Sequence, residues 1–509
     1  MTRKLPGQIA CTLPLKLDAI DDDEVAFQNL SPQPSILPVP YPSKSFWTHG
    51  TPGCNPLGRE GSEGDLTSDV DICIIGSGIT GVSCAYHLAH MSSSQKPLKI
   101  VILEARDFCS GATGRNGGHL TASLYSRMHE LSELYGAQEA KKSFALERYT
   151  ISSIVKIIEN NGWAEDVDLV AGGHLSLVFT QEELRDIEQD LRAAEKAGVE
   201  GVENVELLDA QYVRQHYGTL HPAYRTPGYN LWPLKLVTKL YQSAQARPKA
   251  ASLLQSLPQT SSSPNDTGSK QPFLSLHTHT PVLAVLPVSN SNRRWAIKTP
   301  RGIVSADYVV HATNAYASHL LPHLAGPSGI VPTRGQIVTT KSAVPREQLW
   351  NNGWGGNQGY EYWFARPCPA SDRPLIILGG GRESSGPNFE YNIADDSSVN
   401  SKVSATLRAF LPAAFPGQFD NDTNPDMEWT GIMGFTRSHD PIVGSLSTPE
   451  NRMQGMYIAA GYSGHGMPRA FACAEVVAQM ILADRQDQKW TAPSWLPSWY
   501  LTPASGPAM

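Results

Sequence analysis

The apolar positions of this chain fall into two periods. From Val70 to Ile75 (Val-Asp-Ile-Cys-Ile-Ile) they run almost unbroken, the pattern of a strand buried on both faces, and a second short run follows at Lys99–Leu103 after a helical stretch. Helical spacing covers 129–161 and 181–198, and strand patterns return at 281–286, 295–299 and 307–311. Between 336 and 381 the segments Gln336–Thr340, Tyr360–Ala365 and Leu375–Leu378 alternate or run apolar, which predicts an antiparallel sheet. Alternation in the middle segment places Tyr360, Tyr362 and Phe364 on one face and Trp363 on the other. A last strand, Met456–Ala460, precedes a glycine-rich turn and a helix to about 484. Both ends of the pattern therefore read as parts of one α/β fold, and the middle as an inserted α+β unit.

The flanks read differently. Residues 1–69 are rich in Pro, Gly and Ser, with an acidic run at Asp21–Glu24, and predict an extended, partly disordered lead-in that Ser45-Phe46-Trp47 anchors on the surface. The low-complexity stretch 247–272 predicts a flexible insertion. A chain of 509 residues holds two or three domains. Its net charge of −7 and lack of a basic cluster argue against a nucleic-acid partner. Seven scattered cysteines show no C-x-x-C and no metal-ligand spacing, so no metal is expected and reduced thiols are. Without a membrane span or an apolar signal core, a cytoplasmic enzyme is the expectation.

The chemistry begins at the end of the first strand. Gly76-Ser-Gly-Ile-Thr-Gly81 is a G-x-G-x-x-G, and Glu104 ends the next strand twenty-three residues after Gly81. Gly76 allows the tight turn, Gly78 lets a pyrophosphate approach the backbone, and Gly81 lets helix and strand pack closely. The helix N-terminus then faces the phosphates, and Glu104 accepts hydrogen bonds from ribose hydroxyls. This much fits NAD or FAD.

Three further segments narrow the choice: Cys109-Ser-Gly-Ala-Thr-Gly-Arg-Asn-Gly-Gly-His-Leu120, in which small residues flank Arg115 and Asn116; Asp307-Tyr-Val-Val-His-Ala-Thr-Asn314, a strand ending in a small-residue turn; and Met456–Arg469, where a strand feeds Gly461, Gly464 and Gly466 and then a helix. In this order the blocks resemble the D-amino-acid oxidase superfamily of FAD-dependent oxidoreductases over roughly 65–485. The run Ser110–Gly118 is most similar to the amine-oxidising branch that includes γ-glutamylputrescine oxidoreductases. The resemblance implies a Rossmann-like FAD-binding domain (70–160, 231–330 and 431–485) with an inserted α+β substrate domain (161–230 and 331–430) whose antiparallel sheet roofs the flavin, and a tail at 486–509.

Carried onto this sequence, the resemblance implies that Gly76, Gly78, Ile79, Thr80 and Gly81 cradle the pyrophosphate and that Glu104 holds the adenosine ribose, with Ala105 and Arg106 beside it. Ala112, Thr113, Arg115, Asn116, Gly117 and Gly118 contact pyrophosphate, ribityl chain and ring edge, with Arg115 in reach of a phosphate. Val282 lies at the adenine, Ala312 and Thr313 form the small turn, and Asn314 stands where relatives carry glycine. Gly464, His465, Gly466 and Met467 border the flavin pyrimidine. His465, Met467 and Arg469 are the catalytic candidates, with Arg382 and Arg437 as further cations. Relatives with covalent flavin attach it at positions matched here by Arg115 and Met433, so the FAD is expected to be non-covalent. A substrate-binding Lys of sarcosine-oxidase-like relatives is matched by Pro468, which favours an amine over a simple α-amino acid. The expected reaction is hydride transfer from an amine to the flavin, with O2 or another acceptor. Dehydrogenation of a non-amine in a specialised biosynthetic pathway, or flavin binding without turnover, are the alternatives.

Overall fold

The computed structural model describes residues 13–17, 19–92, 98–246, 273–289, 292–421, 424–448 and 453–502. The strand Asp69–Ile75 is the centre of an eight-stranded sheet, paired in parallel with Ile100–Leu103 on one side and Gly302–His311 on the other. Leu274–His277 and Met456–Ala460 extend it in parallel, and Ile442–Ser445 closes one edge antiparallel. Its apolar run is continuous because both faces are covered. Ile72 and Ile74 pack with the helices Ile79–Met91, Pro233–Ala246 and Ala470–Arg485, while Cys73 and Ile75 pack on the other side with Ile297, Val304 and Val309. Each such aliphatic side chain contributes ~1.5–3 kcal/mol by leaving water.

The second sheet, also of eight strands, runs Met427–Phe435, Val331–Lys341, Leu375–Gly380, Glu361–Ala365, Gly353–Gly356, His174–Leu177, Ala223–Thr226, Glu206–Leu208. It is antiparallel except where Gly353–Gly356 meets His174–Leu177 in parallel. The helix Ser401–Ala414 covers one face, where Trp354 stacks on Trp363 at 5.8 Å with Phe410 and Phe415 around them. Tyr362 and Phe364 point the other way, toward the first sheet's core, as alternation predicts. Tyr360 does not share that face: it precedes the strand and its hydroxyl donates to Asp23.

Several expectations are corrected. The 129–161 helix is two helices, Met128–Tyr135 and Ala137–Asn160, broken at Gly136, whose φ of 81° leaves the helical region. The strand expected at 281–286 forms at Ala284–Pro287. The strand Met427–Phe435 belongs wholly to the second sheet, so that sheet reaches past residue 430. The described part of the lead-in is not extended and loose. It holds a helix, Ile20–Gln28, and Trp47 is fully buried rather than resting on the surface. The 247–272 insertion lies outside the described residues. In the tail, Trp495 and Trp499 stack on Tyr149 and Tyr135, at 4.6 and 4.2 Å. Among the described residues no helix is long and apolar enough to cross a membrane.

Candidate functional site

Two strand–turn–helix units meet at the ends of the parallel strands. In the first, Gly76 has φ 106°, and a Cβ on Gly81 would lie 1.9 Å from the Gly76 carbonyl oxygen, so only glycine lets the helix begin this close to its strand. Glu104 locks the turn: Oε2 accepts from Ser77 N (3.0 Å) and Ser77 Oγ (2.7 Å), and Oε1 from Arg106 N (3.0 Å). Thr113 Oγ1 accepts from Ile79 N at 3.0 Å, and Cys109 N donates to Ser77 Oγ at 2.8 Å, which ties the 109–118 loop to the helix start. The N–H groups of Gly78, Thr80 and Gly81 donate to no protein acceptor among the described residues. Ser110 Oγ, Thr313 Oγ1 and Arg106 Nε are buried there without a protein partner. Free N–H groups at a helix N-terminus and orphaned polar atoms around a glycine cradle fit a dinucleotide diphosphate.

The second unit is Met456–Ala460, the turn 461–469 and the helix Ala470–Arg485. Thr80 Oγ1 donates to the Tyr462 hydroxyl oxygen at 3.1 Å, joining the two helix starts. Asn314 Oδ1 accepts from Gly461 N (3.0 Å) and Tyr462 N (3.4 Å), and its φ of 44° is the left-handed conformation expected where relatives carry glycine. The N–H groups of Gly464, Gly466 and Met467 again find no protein acceptor among the described residues, so this helix start presents partial positive charge to an anion or a developing negative charge. Opposite, the Tyr362 ring lies 2.4 Å from where a Cβ on Gly117 would stand, so the second sheet closes directly on the 109–118 loop.

Three predicted site residues do not act as expected. Arg115 does not point at a phosphate: its guanidinium is buried and donates to the carbonyl oxygens of Ser110, Thr430 and Ser43, beside Asp396. Burial and the Arg106 charge lower it to about 10, against the pull of Asp396. Arg469 is not a free cation for a substrate carboxylate, because Nε donates to Glu147 Oε1 at 2.8 Å and Nη1 to Asp440 Oδ1 at 3.1 Å. Met467 sends its side chain into the main core, so only its backbone borders the site. Arg382, the further cation, is likewise taken, held by both oxygens of Asp23, while Arg437 is exposed. Val282 is buried beside Val101 and Leu103, and Thr280 N donates to the Glu104 carbonyl oxygen. Ala105 and Ala112 are half-buried on the same turns. Ala312 N donates to the Ile75 carbonyl oxygen, beside Gly76.

His465 is where new residues enter. Its Nε2 lies 3.2 Å from Glu147 Oε2 and 3.3 Å from Ser123 Oγ. Glu147 is 1 % exposed. Burial pushes its carboxyl up, but His465 and Arg469 outweigh it and hold the group at about 2. Asp440 also accepts from Trp499 Nε1 and the Tyr500 hydroxyl, both at 3.0 Å. Sequence reasoning missed Glu147 and Ser123. The signal for Glu147 was present: it is the one acid in the buried stripe Ala140, Phe144, Glu147, Ile154, Ile158 of its helix. Behind Tyr362, His119 and His174 meet at 5.6 Å, and burial lowers them to about 4 and about 3, so both rings are neutral.

Comparison with known proteins agrees with this architecture. The family model described as FAD dependent oxidoreductase matches residues 71–256 and 273–480. γ-Glutamylputrescine oxidoreductase of Escherichia coli is 25% identical over 443 residues, 82% of this chain and 84% of that protein. A probable oxidoreductase OrdL of Haemophilus influenzae is 24% identical over 425 residues, 81% and 83%. Among solved structures, L-proline dehydrogenase from P. horikoshii superposes with TM-score 0.60 at 19% identity, over 86% of this chain and 97% of that one. Glycine oxidase from Geobacillus kaustophilus gives 0.59 at 19%, over 83% and 96%. With the family model spanning most of the chain and the glycine cradle built as such a cofactor requires, the protein belongs to the DAO family of FAD-dependent oxidoreductases.

Proposed function

We propose that the protein oxidises the C–N bond of an amine, or of a larger molecule bearing an amino group, to an imine that water hydrolyses. FAD is held non-covalently, and O2 is the final acceptor. The observation that carries the amine reading is the charge at the rim of the second glycine turn. Arg469 and Arg382, which a substrate carboxylate would seek, already hold carboxylates of the protein. Glu147 and Asp440 share Arg469 between them, and His465 lies against Glu147. A rim whose Arg469 and Arg382 are already paired with the protein's own carboxylates offers a free substrate carboxylate no open guanidinium there, which favours an amine. The relative named for γ-glutamylputrescine and the structural neighbours named for proline and glycine all concern substrates with an amino nitrogen.

When bound, the flavin supplies the hydride acceptor; the protein's part is proton handling and orientation. The amine must react with its lone pair free. With Nε2 turned to Glu147 and Ser123, His465 presents Nδ1 as the acceptor for the ammonium proton. Glu147 fixes that tautomer and stabilises the resulting imidazolium, while Arg469 keeps Glu147 ionised. Tyr362, with its ring on Gly117 and its hydroxyl pushed up to about 12 by burial, stays a neutral wall of the pocket. The N–H groups of Gly464, Gly466 and Met467 supply fixed donors where negative charge develops. Neither Arg115, turned to Ser43 and Asp396, nor the thioether of Met433 offers a nucleophile for covalent attachment.

The test is aerobic turnover of the purified yellow protein with a panel of amines, α-amino acids and hydroxy acids, following peroxide and the carbonyl product. Peroxide with amines alone supports the reading; peroxide with hydroxy acids alone contradicts it. Acid precipitation is expected to release the yellow colour into the supernatant.

A further inference from the structure

Three successive carbonyl oxygens of the 109–118 loop are each taken by a donor from outside it. Gly114 O accepts from Ser45 Oγ at 2.7 Å, Arg115 O from Trp429 Nε1 at 2.9 Å, and Asn116 O from Trp47 Nε1 at 2.5 Å. Two of the three donors lie in residues 43–49, N-terminal to the family match that starts at 71. The same segment accepts the Arg115 guanidinium on Ser43 O at 2.6 Å. It is itself held fast. Trp47 is fully buried, stacked 6.4 Å from Phe364, and its carbonyl oxygen accepts from Trp232 Nε1 at 3.0 Å. Ser43 N donates to the Asp396 carbonyl oxygen at 2.8 Å.

In a planar trans peptide the C=O of one residue and the N–H of the next point in opposite directions. Pinning the oxygens of Arg115 and Asn116 toward the tryptophans therefore turns the N–H groups of Asn116 and Gly117 to the other side of the loop. Neither N–H donates to a protein acceptor among the described residues. A Cβ on Gly118 would come 2.8 Å from the Leu231 carbonyl oxygen and 3.1 Å from both Phe364 Cε1 and Trp47 Cζ2, and the Gly118 φ of 72° favours glycine, so the loop lies close against its support.

We propose that Ser45 and Trp47, with Trp429, form a clamp that holds the loop with these N–H groups aimed at the flavin ring edge, making Ser45 and Trp47 positioning residues for the cofactor. This rests on the reading that the 109–118 loop borders FAD. The N-terminal segment thereby sets cofactor affinity and the flavin's electronic environment from outside the family match.

The test uses full-length protein with FAD. Trp47→Phe keeps an aromatic ring but removes the Asn116 donor. Ser45→Ala removes the Gly114 donor, and Ser45→Thr restores a hydroxyl. The clamp predicts that Trp47→Phe and Ser45→Ala each weaken FAD binding ~tenfold, the scale of one lost hydrogen bond, and shift the visible flavin spectrum. Ser45→Thr is expected to return both toward wild type, and the melting temperature of the FAD-free protein to stay within a few degrees. Unchanged FAD affinity and spectrum in Trp47→Phe and Ser45→Ala overturn the clamp, as does a loss of affinity that only follows a collapse of the FAD-free protein's stability. Gly117→Ala separates the two claims: if it too leaves FAD binding unchanged, the reading of the loop itself fails.

Discussion

Arg469, at the end of the 461–469 turn, and Glu147, from the helix Ala137–Asn160, meet at 2.8 Å in a pair from which solvent is almost excluded. Breaking a buried pair by removing one member leaves the other charge uncompensated, at a cost of ~3–5 kcal/mol. Glu147→Gln is therefore expected to destabilise the protein on that scale, read as a lowered midpoint in urea unfolding. A loss within error of zero would show that Asp440 alone satisfies Arg469.

Asp23 holds Arg382 with both carboxylate oxygens, at 3.0 and 2.6 Å, and Phe27 packs edge-on against Tyr391 at 5.2 Å. In the helix Ile20–Gln28 only these two side chains are buried. Asp23→Ala is expected to undock it and leave Arg382 buried among Tyr360, Tyr391 and Phe435 without a counter-charge. Limited proteolysis should then cut within residues 13–30 far sooner than in wild type; an unchanged digestion pattern contradicts this.

The neutral histidines behind Tyr362 give the protein an acid limit. His119 and His174 are lowered by burial from 6.5 to about 4 and about 3. Below 6.5 the unfolded chain binds protons that the folded one refuses, so the stability they confer is complete above 6.5 and drains as pH falls toward 4 and 3. Glu147, depressed from 4.5 to about 2, adds a second loss below 4.5. The melting temperature should fall steadily from a pH of about 7 to about 5, and His174→Gln should flatten that fall.

Gly81→Ala places a methyl group 1.9 Å from the Gly76 carbonyl oxygen. Accommodating it must open the turn that presents the Gly78, Thr80 and Gly81 N–H groups. The variant is expected to purify colourless, with FAD retention as the readout. A fully yellow variant would show that the cradle tolerates the shift.

What could be read in the sequence was what local geometry alone demands. The Gly76–Gly81 turn needs its glycines wherever the chain goes next, and the unbroken apolar run of Val70–Ile75 needs two covered faces. Asn314 in place of glycine predicted a left-handed residue, and the structure has one. The failures concern side chains whose direction is set from far away. Arg115 turns from the phosphate because Asp396, Thr430 and Ser43 claim it. Arg469 is neutralised by an acid 322 positions earlier. The lead-in reads as loose because its composition is polar, yet its Trp47 is fully buried and, with Phe364 and the Leu231 carbonyl, closes the space at Gly118.

The most direct measurement of the central claim is anaerobic mixing of the oxidised yellow protein with an amine and, separately, with the alcohol of the same carbon skeleton. The amine is expected to bleach the flavin at a rate that rises with pH as the amine loses its proton, and the alcohol to leave the colour intact. Bleaching by the alcohol with none by any amine would contradict that claim.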